Sequence, residues 1–436
     1  MKVVAFVPAK GSSERIPSKN LRVLDGEHLF KRKLRQLLEC ETIDEIYLDT
    51  ESDEIIALAK DLDVKVIRRD PSLSTNATDG HEMFANECRQ VPDADIYVQC
   101  LCTAPFVDAD TIDRAIQALL NSDCDSLVAV SRTKQYQWAD GEPLYGHGRI
   151  PNSVDLPDSV VEAMSLYAVK RTGDGSPSKR FGRNPLLFEL DAREMLDINY
   201  PKDLALAEHI CLGAREEELR KFRLMKTHLS SAVLSDITKD LGLDCTLVPE
   251  IRAMTGTRIL GRAKTLHLGA LDEKQNSERE EWKGIYKALN SYKFIRPGDV
   301  IVVATDVPQR AYFGELNAHL ALRAGAVGVL VDGFTRDIEG VRPLELPVFA
   351  RGSYCNDIKY EGTLLGMNEK ISVGGVSASN DDVVFADADG AVIVPGNQWD
   401  KVLDIAVKAI MNEAQISLGV SLGQPVEDLI DTHGYF

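Results

Sequence analysis

Apolar positions in the first half of the chain fall into short runs separated by amphipathic stretches. Runs rich in β-branched residues predict strands at Val3–Val7, Glu45–Leu48, Val64–Ile67, Ile96–Leu101 and Ser126–Val130. Between them, Asp53–Asp61 and Asp110–Leu120 carry helical periodicity. Such alternation is βαβ grammar, predicting a mostly parallel sheet covered by helices on both faces, with ligands at the carboxyl ends of the strands. Between about Thr133 and Arg183 the pattern is irregular and rich in Gly, Pro and Asp. Pro201-Lys202-Asp203 then opens a predicted helix, Leu204–Cys211, that Gly213 is expected to end.

The charged run Arg215-Glu216-Glu217-Glu218-Leu219-Arg220-Lys221 reads as a solvated helical connector. After it, Ser230-Ser231-Ala232-Val233-Leu234-Ser235-Asp236 is a helix start with hydroxyl caps. Strands are predicted at Val300–Ala304, Val327–Asp332 and Ala391–Val394, with a helix Glu315–Ala324 between the first two. The pattern gives domains at 1–213 and 229–415, a connector at 214–228 and a C-terminal tail at 416–436. The expected fold class is α/β throughout.

Size and charge narrow the options. The 436 residues exceed the roughly 250–300 at which one core stops growing, so two domains are expected. A net charge of −18 argues against general affinity for DNA or anionic membranes, which requires concentrated Lys and Arg. No apolar run approaches the length of a membrane span and the first residues do not form a signal peptide, so a cytoplasmic location is expected. Eight scattered cysteines lack zinc spacing and read as buried reduced thiols.

The first chemical feature follows strand Val3–Val7. In Pro8-Ala9-Lys10-Gly11-Ser12-Ser13-Glu14-Arg15-Ile16-Pro17-Ser18-Lys19-Asn20, small residues let backbone N–H groups approach an anion, and Lys10, Arg15 and Lys19 could neutralise a polyphosphate. It is not a Walker loop, and no G-x-G-x-x-G follows a strand. The segment resembles the signature loop of the acylneuraminate (CMP-sialic acid) cytidylyltransferases, P-A-R-G-G-S-K-x-I-P-x-K-N. Pro8, Ala9, Gly11, Ser13, Ile16, Pro17, Lys19 and Asn20 match, and Lys10 replaces arginine.

The resemblance continues in order through Leu48-Asp49-Thr50, Arg69 with Leu73-Ser74, Thr103-Ala104-Pro105-Phe106, Arg149-Ile150-Pro151 with Asp155-Leu156-Pro157, and Asp197-Ile198-Asn199-Tyr200-Pro201-Lys202-Asp203. It implies a Rossmann-like nucleotidyltransferase sheet and transfer of CMP from CTP to an acidic acceptor, with pyrophosphate released. It also implies Lys10 and Lys19 as catalytic cations, and Ala9, Lys10, Gly11, Ser13, Lys19, Asn20 and Arg69 as nucleotide-binding. Asp197 and Asn199 would hold Mg²⁺ or another divalent cation. Three departures stand out. Glu14 replaces a lysine, so its carboxylate faces the polyphosphate, joins a metal site or turns away. Asn199 replaces the second aspartate of the metal pair, and Leu101-Cys102 stand where Gln-Pro is usual. Val161-Glu162-Ala163-Met164-Ser165-Leu166-Tyr167 departs from the sialic-acid acceptor segment, leaving another ulosonic acid or a phosphonate open as acceptor.

The second feature lies in the C-terminal half. Gly314-Glu315-Leu316-Asn317 begins a helix whose free N–H groups suit a carboxylate, and Arg336 after strand Val327–Asp332 could grip the same group. Asp337 beside it could hold a hydrated divalent cation that polarises a keto oxygen. Together with Leu229-Ser230-Ser231-Ala232-Val233-Leu234-Ser235-Asp236, Gly261-Arg262-Ala263, Arg296-Pro297-Gly298-Asp299-Val300, Gly325-Ala326-Val327-Gly328 and Asp387-Ala388-Asp389-Gly390, these residues resemble the family of regulator of ribonuclease activity A and the 4-hydroxy-4-methyl-2-oxoglutarate aldolases. The resemblance implies backbone N–H groups of Gly314, Leu316 and Asn317 and the Arg336 guanidinium on a pyruvate-like carboxylate. Arg336 and Asp337 would be catalytic, with Asp337 and Glu315 binding Mg²⁺ through water. Glu315 replaces the usual aspartate.

The joint expectation is a bifunctional enzyme, a cytidylyltransferase with a metal-dependent aldolase or decarboxylase. The alternative is a cytidylyltransferase fused to a non-catalytic protein-binding or oligomerisation module. Both resemblances imply a homo-oligomer, and the second leaves room for a protein partner.

Overall fold

The computed structural model describes residues 1–75, 77–173, 175–271 and 281–434. The chain divides into two compact units, Met1–Cys211 and Leu212–Phe436, and the last two residues of the expected tail lie outside the described residues.

The first unit is built on a seven-stranded sheet in the order Pro185–Glu189, Ser126–Thr133, Ser159–Lys170, Ile96–Cys100, Val3–Pro8, Glu45–Thr50, Lys65–Arg68. Val3–Pro8 is parallel to both its neighbours, which leaves its carboxyl end, and the loop that follows, beside the ends of Ile96–Cys100 and Glu45–Thr50. Near-continuous burial of Val3 to Val7 is what a central parallel strand covered on both faces demands. One face packs Ala5 and Val7 against Phe30, Leu34 and Leu37 of helix Leu29–Leu38 and Ile112, Ile116 and Leu119 of helix Ala109–Leu120. The other packs Val4 and Phe6 against Phe84 and Cys88 of helix Gly80–Gln90. Ser52, Asp79 and Asp108 cap three helices by accepting backbone N–H bonds, so each chain entry is fixed by a short polar side chain.

The five predicted strands and the helices predicted at Asp53–Asp61 and Asp110–Leu120 are present within a few residues, and the helix predicted at Leu204–Cys211 lies within a longer one. The stretch that looked irregular hides Ser159–Lys170, which runs antiparallel to both neighbours and carries a bulge between Glu162 and Tyr167. The bulge, with Met164 at φ 49°, interrupts the period-two pattern that would otherwise mark a strand. Gly213 does not end a helix: Pro201–Met225 is continuous, its C-terminal part held by ion pairs Arg215 to Asp299 and Arg262 to Glu218.

The second unit holds a nine-stranded sheet. Its path runs Arg252–Thr255, Val348–Ser353, Gly328–Thr335, Asp299–Thr305, Ile259–Ala270, Val383–Ala386, Ala391–Val394, with Ala311–Phe313 paired to Gly328–Thr335 and Gly362–Met367 to Ile259–Ala270. The three predicted strands are here, and helix Glu315–Ala324 has the predicted bounds. Helix Trp399–Ser421 runs through residue 416, where the tail was expected to start. No helix among the described residues is long and apolar enough to cross a membrane.

Candidate functional site

In the first unit the loop after Val3–Pro8 is held by side chains from three directions. Buried Asn20 donates from Nδ2 to the Lys10 carbonyl at 2.8 Å, and its Oδ1 accepts from Cys102 Sγ at 3.1 Å. Burial pushes the Cys102 thiol up to about 11, so it keeps the proton it donates. Glu51 accepts the Gly11 N–H at 2.7 Å through one oxygen and the Ser74 hydroxyl at 2.9 Å through the other. The Ala9 N–H donates to the Asp49 carbonyl at 2.9 Å. The backbone of the loop is therefore set before any ligand arrives, which spares binding the entropy of ordering it.

Lys19 donates from Nζ to the Ile198 carbonyl at 2.9 Å, joining the loop to the segment that carries Asp197. Burial pulls its ammonium below the usual lysine range, opposed first by the Asp197 carboxylate. Asp197 accepts from Asn199 Nδ2 on Oδ2, while its buried Oδ1 has no hydrogen-bond partner. A buried, unpartnered carboxylate oxygen is costly unless a cation or donor comes to it. Among the described residues no cluster of three acidic, His or Cys side chains could hold a metal alone. One carboxylate oxygen nevertheless suits Mg²⁺, which takes one or two carboxylates and completes its shell with waters and phosphate oxygens.

Three expected residues need revision or detail. Arg69 is buried, and its Nε and Nη2 are committed to Asp49 at 2.7 to 3.1 Å, so it braces the sheet end and cannot lie along the nucleotide as a free cation. Only Nη1 is left, 4.0 Å from Glu51. Glu14 is exposed, with no hydrogen bond or ion pair among the described residues, so nothing in the loop holds its carboxylate in one posture. Arg15 stacks over Tyr200, 5.5 Å from the ring centre, beside Asn199.

Sequence reasoning missed Glu51, Asp49 and Arg180. Asp49 lies in strand Glu45–Thr50, whose motif was noticed without assigning it work, and Glu51 follows directly after it. Arg180 comes from the irregular stretch and gave no signal. It is buried, lies 4.9 Å over the Tyr167 ring, and has an unpartnered Nε. Tyr167 bonds Glu162, so the segment expected to face the acceptor holds an arginine, a phenol and a carboxylate together.

In the second unit a cavity of about 490 Å³ is lined by Gly314, Leu316, Asn317, Arg336, Asp337 and Asp357 among others. Strand pairing creates it: Ala311–Phe313 lies parallel to Gly328–Thr335, so the turn at Gly314 and the Arg336-Asp337 pair leave the same sheet end. The Arg336 N–H donates to the Phe313 carbonyl at 2.8 Å, which fixes their approach. A Cβ on Gly314 would stand 2.5 Å from Asp337 Oδ2 and 3.1 Å from Arg336 Cγ, so any other residue there would have to displace the Asp337 carboxylate. Asp337 sits at φ 57°, a left-handed conformation that costs energy and here aims its carboxylate at the Glu315 N–H, 3.3 Å away.

All the expected ligand-facing groups of this unit are thus brought together, with two qualifications. The Asn317 side chain is used internally, donating to the Tyr312 carbonyl at 3.0 Å. The Glu315 carboxylate turns toward His319, 3.8 Å away. Asp337 and Glu315 each keep an oxygen with no hydrogen-bond or ion-pair partner among the described residues, which fits a hydrated divalent cation whose remaining positions go to water and ligand oxygens.

Residues 4–172 match the family model described as Cytidylyltransferase, and residues 231–393 that described as Aldolase/RraA. Protein DlpA of Legionella pneumophila is 25% identical over 207 residues, 47% of this chain and 32% of its own. The N-acylneuraminate cytidylyltransferase B of Danio rerio is 27% identical over 213 residues, 47% of this chain and 50% of its own. A Halalkalibacterium halodurans protein described as "Putative 4-hydroxy-4-methyl-2-oxoglutarate aldolase" is 31% identical over 191 residues, 44% of this chain and 82% of its own. The chain spans half the length or less of the first two. The loop with Lys10 and Lys19 thus lies in the part that matches the cytidylyltransferase model, and the glycine turn facing Arg336-Asp337 in the part that matches the second: in its C-terminal part the chain belongs to the aldolase/RraA family.

Proposed function

We propose that the first unit transfers CMP from CTP to an acidic acceptor, an ulosonic-acid-like sugar acid or a phosphonate. The observation that carries this is the preset loop placing Lys19 beside Asp197 with its unpartnered oxygen. The acceptor oxygen attacks the α-phosphorus, the bond to the bridging oxygen breaks, and pyrophosphate leaves. Lys10 and Lys19 stabilise charge on the phosphates, Ser13 and the loop N–H groups hold their oxygens, and Asn20 keeps the loop closed. A divalent cation at Asp197 would supply further charge neutralisation. Lys19→Met should raise the KM for CTP by roughly ten- to a hundred-fold, since a buried ammonium to phosphate contact is charge-assisted. An unchanged KM would remove Lys19 from the site.

We further infer that the second unit handles a pyruvate-like keto acid, as a metal-dependent aldolase or decarboxylase. Support comes from the cavity that gathers the Gly314 turn, Arg336 and Asp337. Arg336 binds the carboxylate and the helix N–H groups orient it. A divalent cation held through Asp337 and Glu315 would draw electron density from the keto oxygen. Pyruvate release from an α-keto-γ-hydroxy acid should be lost in Arg336→Ala; an unchanged rate would refute the role of Arg336, and no release by the wild type would favour the non-catalytic reading of this unit. A homo-oligomer is part of the proposal, supported by exposed Trp138, Leu144, Ile150 and Val154 close together in sequence.

A further inference from the structure

The Arg336 guanidinium and one N–H group of the helix start in the second unit are already held by carboxylates of the chain itself. Asp337 Oδ2 takes the Glu315 N–H at the helix start and lies 3.5 Å from Arg336 Nε. Asp357 Oδ2 lies 3.0 Å from Arg336 Nη1. The position of Asp357 is built in: its backbone bridges to Ala311, next to the Gly314 turn, and its Oδ1 accepts the Lys359 N–H at 2.6 Å. The pair is accessible, Arg336 being 37% and Asp357 33% exposed at the side chain, so an incoming anion can compete for the guanidinium.

The charge balance shows which anions compete well. Arg336 and Lys359 line the cavity together with Asp337 and Asp357, and Glu315 stands at the helix start beside them. Three carboxylates against two cations leave a free anion facing net negative charge. An anion accompanied by a divalent cation does not meet that barrier, because the cation engages the Asp337 and Glu315 carboxylates. Where the incoming carboxylate takes Arg336, the displaced Asp357 adds its charge to that barrier, and the cation offsets it.

We propose that Asp357 is a stand-in for the ligand carboxylate at Arg336, and that it makes the cavity selective for carboxylates arriving with a divalent cation. The proposal rests on the keto-acid reading of this cavity. Its function would be to keep a reactive guanidinium from collecting the abundant metal-free anions of its surroundings.

The test is calorimetric titration of the full chain with oxalate, a planar analogue of the pyruvate enolate, with and without Mg²⁺. Wild type should bind oxalate at least about ten-fold more tightly with Mg²⁺ than without, the scale of one charge interaction in a half-exposed site. Asp357→Asn keeps an oxygen for the Lys359 N–H and should tighten Mg²⁺-free binding by roughly three- to ten-fold, narrowing that gap. Asp357→Ser serves as a second variant if the first is less stable. Magnesium-free binding that is unchanged or weaker in both variants overturns the proposal. Arg336→Ala separates the two layers. If it binds oxalate as wild type does, the keto-acid reading falls and the proposal with it. If it loses oxalate while Asp357→Asn changes nothing, only the proposal falls.

Discussion

Glu87 is the residue with the clearest predicted pH signature. It is wholly buried on helix Gly80–Gln90 and takes a hydrogen bond from Gln99. Burial, then the Asp49 carboxylate beside it, raises its carboxyl well above the ordinary 4.5. A carboxyl raised on folding contributes stability that is complete below the unfolded value and lost as pH rises through the folded one. Stability should therefore decline above about pH 4.5 through this group, at up to ~1.4 kcal/mol per pH unit until the folded value is passed. Glu87→Gln, which keeps the shape and cannot ionise, should flatten that slope. Urea melts of both proteins at pH 5 and pH 8 measure it, and parallel pH profiles would contradict the assignment. None of this could be read from the sequence, where Glu87 is one acidic residue in an amphipathic helix. Its neighbours come from strands about 12 and 38 positions away in sequence.

At the scale of elements, the two glycine turns were legible because close backbone approach leaves a residue-type mark. The braces around them were not. Gly11 and Gly314 sit where strands end, as their patterns predicted, yet Glu51 and Asp357, which occupy their surroundings, lie on other strands or loops. Long-range pairing puts them there, and periodicity in one segment carries no information about it. Arg69 shows the converse: its position was readable and its environment was not, since only the fold reveals that Asp49 consumes its donors. The Gly314 turn gives a direct prediction. Gly314→Ala displaces the Asp337 carboxylate, at a cost of about 1–3 kcal/mol. Oxalate binding in Mg²⁺ should be lost while the first unit's CTP chemistry is retained. Unimpaired oxalate binding would show that the close approach is dispensable.

On the scale of the whole chain, the likeness to two family models was visible because each half carries an ordered series of short motifs, and an ordered series is far harder to meet by chance than one motif. The irregular stretch resisted because its one long strand is bulged and half exposed, and because Arg180 lies outside any periodic segment. The two proposed chemistries are linked through their substrates: a 2-keto-3-deoxy sugar acid is an aldol adduct of pyruvate and also a CMP acceptor. The central claim is that the first unit activates such an acid. It is tested most directly by following pyrophosphate release from CTP and Mg²⁺ with a panel of ulosonic acids and phosphonates, in the full chain and in Asp197→Ala. Release that requires one of these acids and disappears in Asp197→Ala is the predicted result. Release by wild type and Asp197→Ala alike, or none with any acid, would contradict the account.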